Sequence, residues 1–323
     1  MNSSVNVNFA SGKTDFLTSM DALREELPAC KSISLVVSWF GDDLRASSCS
    51  LKPKVGQTTS DGFGMPWQVS SLDRLSAEEI VKIDDRTIYG GTPTDQSVIE
   101  AITDINAAGQ DVVFYPFILM DQIDGNGLPD PYTGAADQPA LPWRGRITLS
   151  VAPGQSGSPD KTVVAEDEIE SFFGTASAND FSQTTTGVTY TGPDEWSYRR
   201  FILHYAHLCA VSGGVSAFCI GSEMRGVTQM GAFQQLRNWF RLLQMFAAFL
   251  GVKQKMDMRP IGANILGIIH RMVLVMRCFT SPPSGRVQIS ILSELTTICR
   301  CLTGVRGKIT SMRLGARFTI WTT

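Results

Sequence analysis

Three short apolar runs constrain this chain more than any other feature: SISLVVSWF at 32–40, DVVFYPFILMD at 111–121 and VSAFCIGSE at 215–223. Each is β-branched or aromatic on alternate and intervening positions alike, the pattern of strands buried on both faces. Each is also preceded by a helical pattern. Leu17, Met20, Leu23 and Leu27 share one face after the N-cap candidate Thr14. Val98, Ile99, Ile102 and Ile105 do the same after Thr94-Asp95, with Gly109 as the stop. A third helix is expected from Gly192-Pro193-Asp194-Glu195, with Ile202, Tyr205, Leu208 and Cys209 facing inward, ending at Gly213-Gly214. Repeated helix-strand units with two-sided strands predict a parallel sheet covered by helices.

Open doubly wound sheets and (β/α)8 barrels both satisfy that pattern. The barrel is favoured because polar clusters close every strand: Asp42-Asp43, Asp121-Gln122 and Ser222-Glu223-Met224-Arg225. No glycine-rich phosphate or dinucleotide motif follows any strand, so no cofactor is expected. The stretch 122–165 far exceeds the roughly 4–6 residues of an ordinary connection. It predicts a large loop over the barrel mouth, with a hairpin around RGRITLSVAPG.

Glu223 is the leading candidate for chemistry. A carboxylate at a strand's C-terminal end, shielded by neighbouring loops, can serve as a general acid; an ion pair with Arg225 or a loop arginine is the structural alternative. Glycoside hydrolysis requires a second carboxyl, and Asp42 and Asp121 are the available partners. Trp39, Tyr115 and Trp143 are candidate stacking faces for sugar rings, and Arg144 in PWRGR is a candidate anion contact. His204 and His207, one turn apart, lack a third ligand, so no metal site is expected. Asp124-Gly125-Asn126-Gly127 suits a turn better than a calcium loop. Seven cysteines without paired C-x-x-C spacing argue for free thiols. The first residues lack a basic and apolar leader, which makes the cytoplasm the expected site of synthesis.

Seven segments together resemble a known family: SLVVSWFGDDLR (34–45), YGGTPTDQSVIEAI (89–102), YPFILMD (115–121), GNGLPDPY (125–132), PWRGRIT (142–148), EWSYRRFILHYAHLCA (195–210) and IGSEMRG (220–226). They resemble the glycoside-hydrolase-like TIM-barrel domain of gene transfer agent and phage-tail host-specificity (hub) proteins. The resemblance implies a tail component of a phage or phage-like particle, with other tail proteins and cell-envelope glycan as partners. It leaves two functions open, glycan binding with hydrolysis, or a catalytically silent barrel serving assembly or receptor binding.

The resemblance stops near Gln229, where the charge balance inverts. Residues 1–229 carry 15 Lys+Arg against 29 Asp+Glu, a net of −14; residues 230–323 carry 13 against 2, a net of +11. A basic tail ordinarily indicates nucleic acid or an anionic membrane. The genetic code offers another explanation. Read one nucleotide earlier, the codons of Phe233 to Phe240 permit the family-like FPAVAQLV, and those of Met272 to Met276 permit DGSGD. The expectation is therefore an N-terminal fragment of a preceding region (1–14), a partial (β/α)8 TIM barrel with only its first strands (15–229), and a non-native, out-of-frame tail (230–323). Neither nucleic-acid binding nor membrane insertion is expected of it.

Overall fold

The computed structural model describes residues 7–62 and 64–230, together with the backbone of 272–277, 288–293 and 317–319. Helix α1 (Asp15–Glu26) is capped by Thr14, whose hydroxyl accepts the Leu17 N–H at 3.3 Å. Strand β1 (Ser32–Gly41) follows. The connection from β1 to the next helix is long and folds into short ribbons: β2 (Leu51–Lys52), β3 (Lys54–Val55), β4 (Gln68–Val69), β5 (Leu72–Asp73), β6 (Glu78–Glu79), β7 (Lys82–Ile83) and β8 (Arg86–Thr87). Helix α2 (Asp95–Ala107) and strand β9 (Asp111–Met120) complete the second unit. After β9 come helix α3 (Val163–Phe173), the hairpin of β10 (Phe181–Gln183) and β11 (Val188–Tyr190), helix α4 (Tyr198–Val211), strand β12 (Ala217–Gly221) and the short helix α5 (Arg225–Gln229).

β1 and β9 pair in parallel without interruption from Ser32↔Asp111 to Gly41↔Met120, and β12 joins β9 in parallel at Ala217↔Val113 and Phe218↔Phe114. The three helix-strand units thus form a contiguous parallel sheet, and among the described residues that sheet does not close into a barrel. Beyond β12 the pairing sense changes. Strands β13 (Met272–Arg277), β14 (Gln288–Ser293) and β15 (Arg317–Thr319) continue the sheet as an antiparallel meander.

The core lies on the helix side of the sheet. Along β9 the pattern alternates, with Val112, Phe114, Ile118 and Met120 buried and Val113, Tyr115, Phe117 and Leu119 half-buried on the opposite face. Phe114 stacks on Phe218 with ring centroids 5.6 Å apart, tying β9 to β12. The opposite face, inward in a barrel, is only partly covered, and Val36 on it is 50% exposed.

Three sequence expectations change. The third helix starts at Tyr198, with Ser197 as its cap, whereas Pro193–Glu195 precede it; the Glu195 carboxylate instead accepts the N–H groups of Thr175 and Ala176. No hairpin forms at 144–154. The chain makes a 3-10 turn at Arg144–Arg146, then a parallel bridge from Thr148 to Arg45. The interval 122–165 is an ordered loop whose last residues already belong to α3. Gln138, 1% exposed, anchors it by accepting the Leu44 N–H (2.8 Å) and donating to Asp43 (2.7 Å). Arg200 ties three further segments together. Its guanidinium stacks between Tyr190 and Trp196 and donates to the carbonyls of Ser70 and Glu195.

His207 on α4 is buried against Phe181, and burial, aided by nearby His204, takes its pKa from 6.5 down to about 4. The fold keeps this ring neutral, while the unfolded chain protonates first as pH falls. Its contribution is therefore complete above about pH 6.5 and lost progressively toward about pH 4, an effect of up to about 3 kcal/mol. Urea midpoints measured across that window should fall with pH, and His207→Gln should flatten the slope. An unchanged slope in the variant would rule out His207 as its source.

Candidate functional site

Each of the three parallel strands carries a candidate carboxylate at its C-terminal end. Asp42 and Asp121 directly follow the paired residues Gly41 and Met120, and Glu223 lies two residues beyond the end of β12. A parallel sheet places all such ends on one rim, which makes this the mouth.

Glu223 has φ 54°, the left-handed region that a side chain rarely adopts. Such a conformation costs on the order of 1–3 kcal/mol and persists where the surroundings fix it. Here they do. Glu223 Oε2 accepts the indole N–H of Trp143 at 2.7 Å and lies 3.1 Å from the Arg144 guanidinium. Among the described residues no hydrogen bond reaches Oε1.

Arg144 is buried, its side chain 4% exposed against 38% for Glu223. Its guanidinium lies 3.6 Å from the Phe117 ring centroid, and it donates to the Ser222 carbonyl (3.3 Å) and hydroxyl (3.2 Å). The Tyr115 hydroxyl contacts that same Ser222 hydroxyl. Burial raises the Tyr115 pKa, so the phenol stays protonated near neutrality.

Two glycines make this junction possible. A Cβ on Gly145 would lie 2.5 Å from the Trp143 ring, so the indole rests flat against this backbone. A Cβ on Gly226 would lie 2.1 Å from the Ile147 carbonyl oxygen, where the start of α5 meets the loop. Both are close approaches that only glycine permits. The sequence places Ser222 in the polar cluster that closes its strand but gives it no role, and it does not single out Phe117 or the glycines; a glycine inside a charged motif is the available signal.

The remaining candidates separate. Asp121, 2% exposed, is 3.1 Å from the buried ammonium of Lys54, which also faces Glu78. Asp42 accepts the Ser50 N–H at 2.7 Å; burial raises its pKa, against the opposing pull of that hydrogen bond and of Lys54 and Lys52. The structure brings Trp143, Arg144, Tyr115 and Glu223 together. Asp42 and Asp121 share a different polar cluster, around Lys54.

Trp39 offers no sugar platform. It is fully buried on the helix side, packed against Trp196, Phe201 and Tyr205. Its place in β1 explains this, since Val37 and Trp39 point to the same side of the sheet. His204 is committed to Asp95 at 2.9 Å, and among the described residues no cluster of potential metal ligands occurs. Cys30, Cys49 and Cys219 are free thiols, and burial raises Cys219 to about 12. Among the described residues no helix is long and apolar enough to cross a membrane.

Fold and rim together define an open α/β sheet of helix-strand units with an acid-bearing C-terminal mouth. Residues 196–258 match the family model described as a GTA TIM-barrel-like domain. The matched interval takes in α4, β12, Glu223 and α5 and continues through 231–258, outside the described residues. No curated protein matches the chain.

Gly226→Ala tests the junction. The added methyl must displace the Ile147 carbonyl or α5, which should cost about 1–3 kcal/mol in a denaturation midpoint. An unchanged midpoint would mean that α5 does not depend on this approach.

Proposed function

We propose that this chain is the glycan-contacting barrel portion of a tail component of a phage or phage-like particle, binding cell-envelope glycan at the mouth that Glu223 marks. One observation carries the reading: an ordered carboxylate, an exposed tryptophan and a tyrosine converge at adjacent parallel strand ends. The partial match to a GTA TIM-barrel-like domain supports the tail assignment, with other tail proteins as the partners it would meet.

Cleavage and silent binding part at Glu223. A general acid acts beside a second carboxyl group. Among the described residues Glu223 is bonded to Trp143 and Arg144 rather than to another carboxylate. This favours binding for the chain as it stands, with hydrolysis requiring a carboxylate from a later strand. Glu223→Gln keeps size and hydrogen-bonding capacity while removing the charge. With hydrolysis, the variant should keep its melting temperature and release reducing ends from envelope glycan about 100-fold or more slowly. Equal release by both proteins would take Glu223 out of catalysis. Absence of release from both, with glycan still co-sedimenting, would support the silent barrel.

The reading also covers residues 230–323, proposed as out of frame. The −14/+11 charge split and the switch from parallel to antiparallel pairing beyond β12 support it. Nucleotide sequencing across codons 225–260 is expected to show a one-base deletion or two-base insertion relative to an open frame that continues the barrel. The family match already runs to residue 258 in the recorded frame, and an alternative frame interrupted by stops would overturn the reading.

A further inference from the structure

We infer that the site at Glu223 is built for an uncharged sugar ring and turns polyanionic glycans away, an inference that rests on the glycan reading above. A site for a uronate, sialate or phosphate needs a cation free to form charge-assisted hydrogen bonds with it. Among the described residues, four cations at this mouth already face carboxylates. Arg144 lies 3.1 Å from Glu223, Lys54 3.1 Å from Asp121, Arg45 2.6 Å from Asp43, and Arg146 3.7 Å from Asp130. Recruiting Arg144, Lys54 or Arg45 to a ligand would strand the partner carboxylate; for Asp43 and Asp121 that carboxylate is almost wholly buried. Arg225 is the exposed exception, at the start of α5. It stands within residues 1–229, whose net charge of −14 outweighs the +11 of residues 230–323, so the net field of the chain, −3 in all, still disfavours anions.

Trp143 points the same way. One face of its indole rests on Gly145 and its N–H is spent on Glu223, so what it offers to a ligand is the remaining ring surface, the side chain being 44% exposed. An aromatic face carries negative potential. It suits the C–H face of a pyranose and disfavours an anion. The Oε1 atom of Glu223 is an acceptor placed beside that platform, matched to a neutral hydroxyl donor and repulsive to a carboxylate.

The test uses the full chain and two oligosaccharides of equal length, uncharged chitotriose and anionic trigalacturonate. Binding is followed by tryptophan fluorescence and NMR titration at low salt and at about 0.3 M salt. Chitotriose should bind with little salt dependence, and trigalacturonate at least about tenfold more weakly at low salt, the gap narrowing as salt screens repulsion. Trp143→Phe keeps a ring face without the N–H and should retain chitotriose binding within about threefold, whereas Trp143→Ala should lose it. Trigalacturonate binding as tightly as chitotriose, or more tightly, would overturn the charge assignment and leave the glycan reading standing. Chitotriose binding that survives in Trp143→Ala would overturn the platform. Failure to bind either sugar, with envelope glycan still co-sedimenting, would overturn the inference alone; failure to bind envelope glycan as well would remove the parent reading with it.

Discussion

The buried guanidinium of Arg144 is the contact on which the mouth depends. It lies over Phe117 of β9, donates to Ser222 beyond β12, and faces Glu223. A lysine could supply the charge but not this arrangement, because only a planar fork can stack on a ring and donate in several directions at once. The burial of so polar a group is offset because its neighbours are one carboxylate, one carbonyl, one hydroxyl and one aromatic face. Trp143 then stands where Arg144 holds the loop, and the left-handed backbone at Glu223 is tolerated because both neighbours grip the same oxygen.

That arrangement is a junction between distant segments rather than a local motif. The loop from β9 is fastened at one end by Gln138, beside Asp43 at the end of β1. It is fastened at the other by Ile147 and Thr148, against Gly226 and Ala46. The ribbons between β1 and α2 reach the same rim through Lys54, whose ammonium neutralises Asp121. The two long connections thus cover strand ends whose edge groups and acids would otherwise be solvated.

Much of this was legible in the sequence, and the failures have physical causes. The helix-strand units, the cap at Thr14 and the stop at Gly109 follow from periodicity and capping chemistry, while Thr94 takes the N-cap position of α2 with its hydroxyl spent on the Gln68 N–H instead. The side that Trp39 takes is not legible because a strand apolar on both faces hides its parity, and parity alone sends a strand-end aromatic to the core or to the mouth. The third helix was started early because proline and acids suit a first turn, while tertiary structure spends Glu195 on Thr175 and Ala176. The ribbons at 51–87 were invisible since each is two residues long, too short to show alternation. The pairing of Arg144 with Glu223 spans 79 positions, beyond the reach of any local pattern.

That separation has a consequence for how the molecule comes into being. All of β1, α2 and β9 precede the loop of Trp143 and Arg144 in the chain, so their ten-residue parallel register can begin to pair before it, with Trp39 and Phe114 gaining their ring partners only when α4 and β12 follow. The loop carrying Trp143 and Arg144 emerges next, yet its packing partners Ser222, Glu223 and Gly226 are still to be made. During that interval a guanidinium destined for burial stays hydrated and the indole has no acceptor. The mouth is therefore the last part of the parallel sheet to set, and in a nascent chain arrested before β12 both the site and the Phe114–Phe218 contact beneath it would be unassembled.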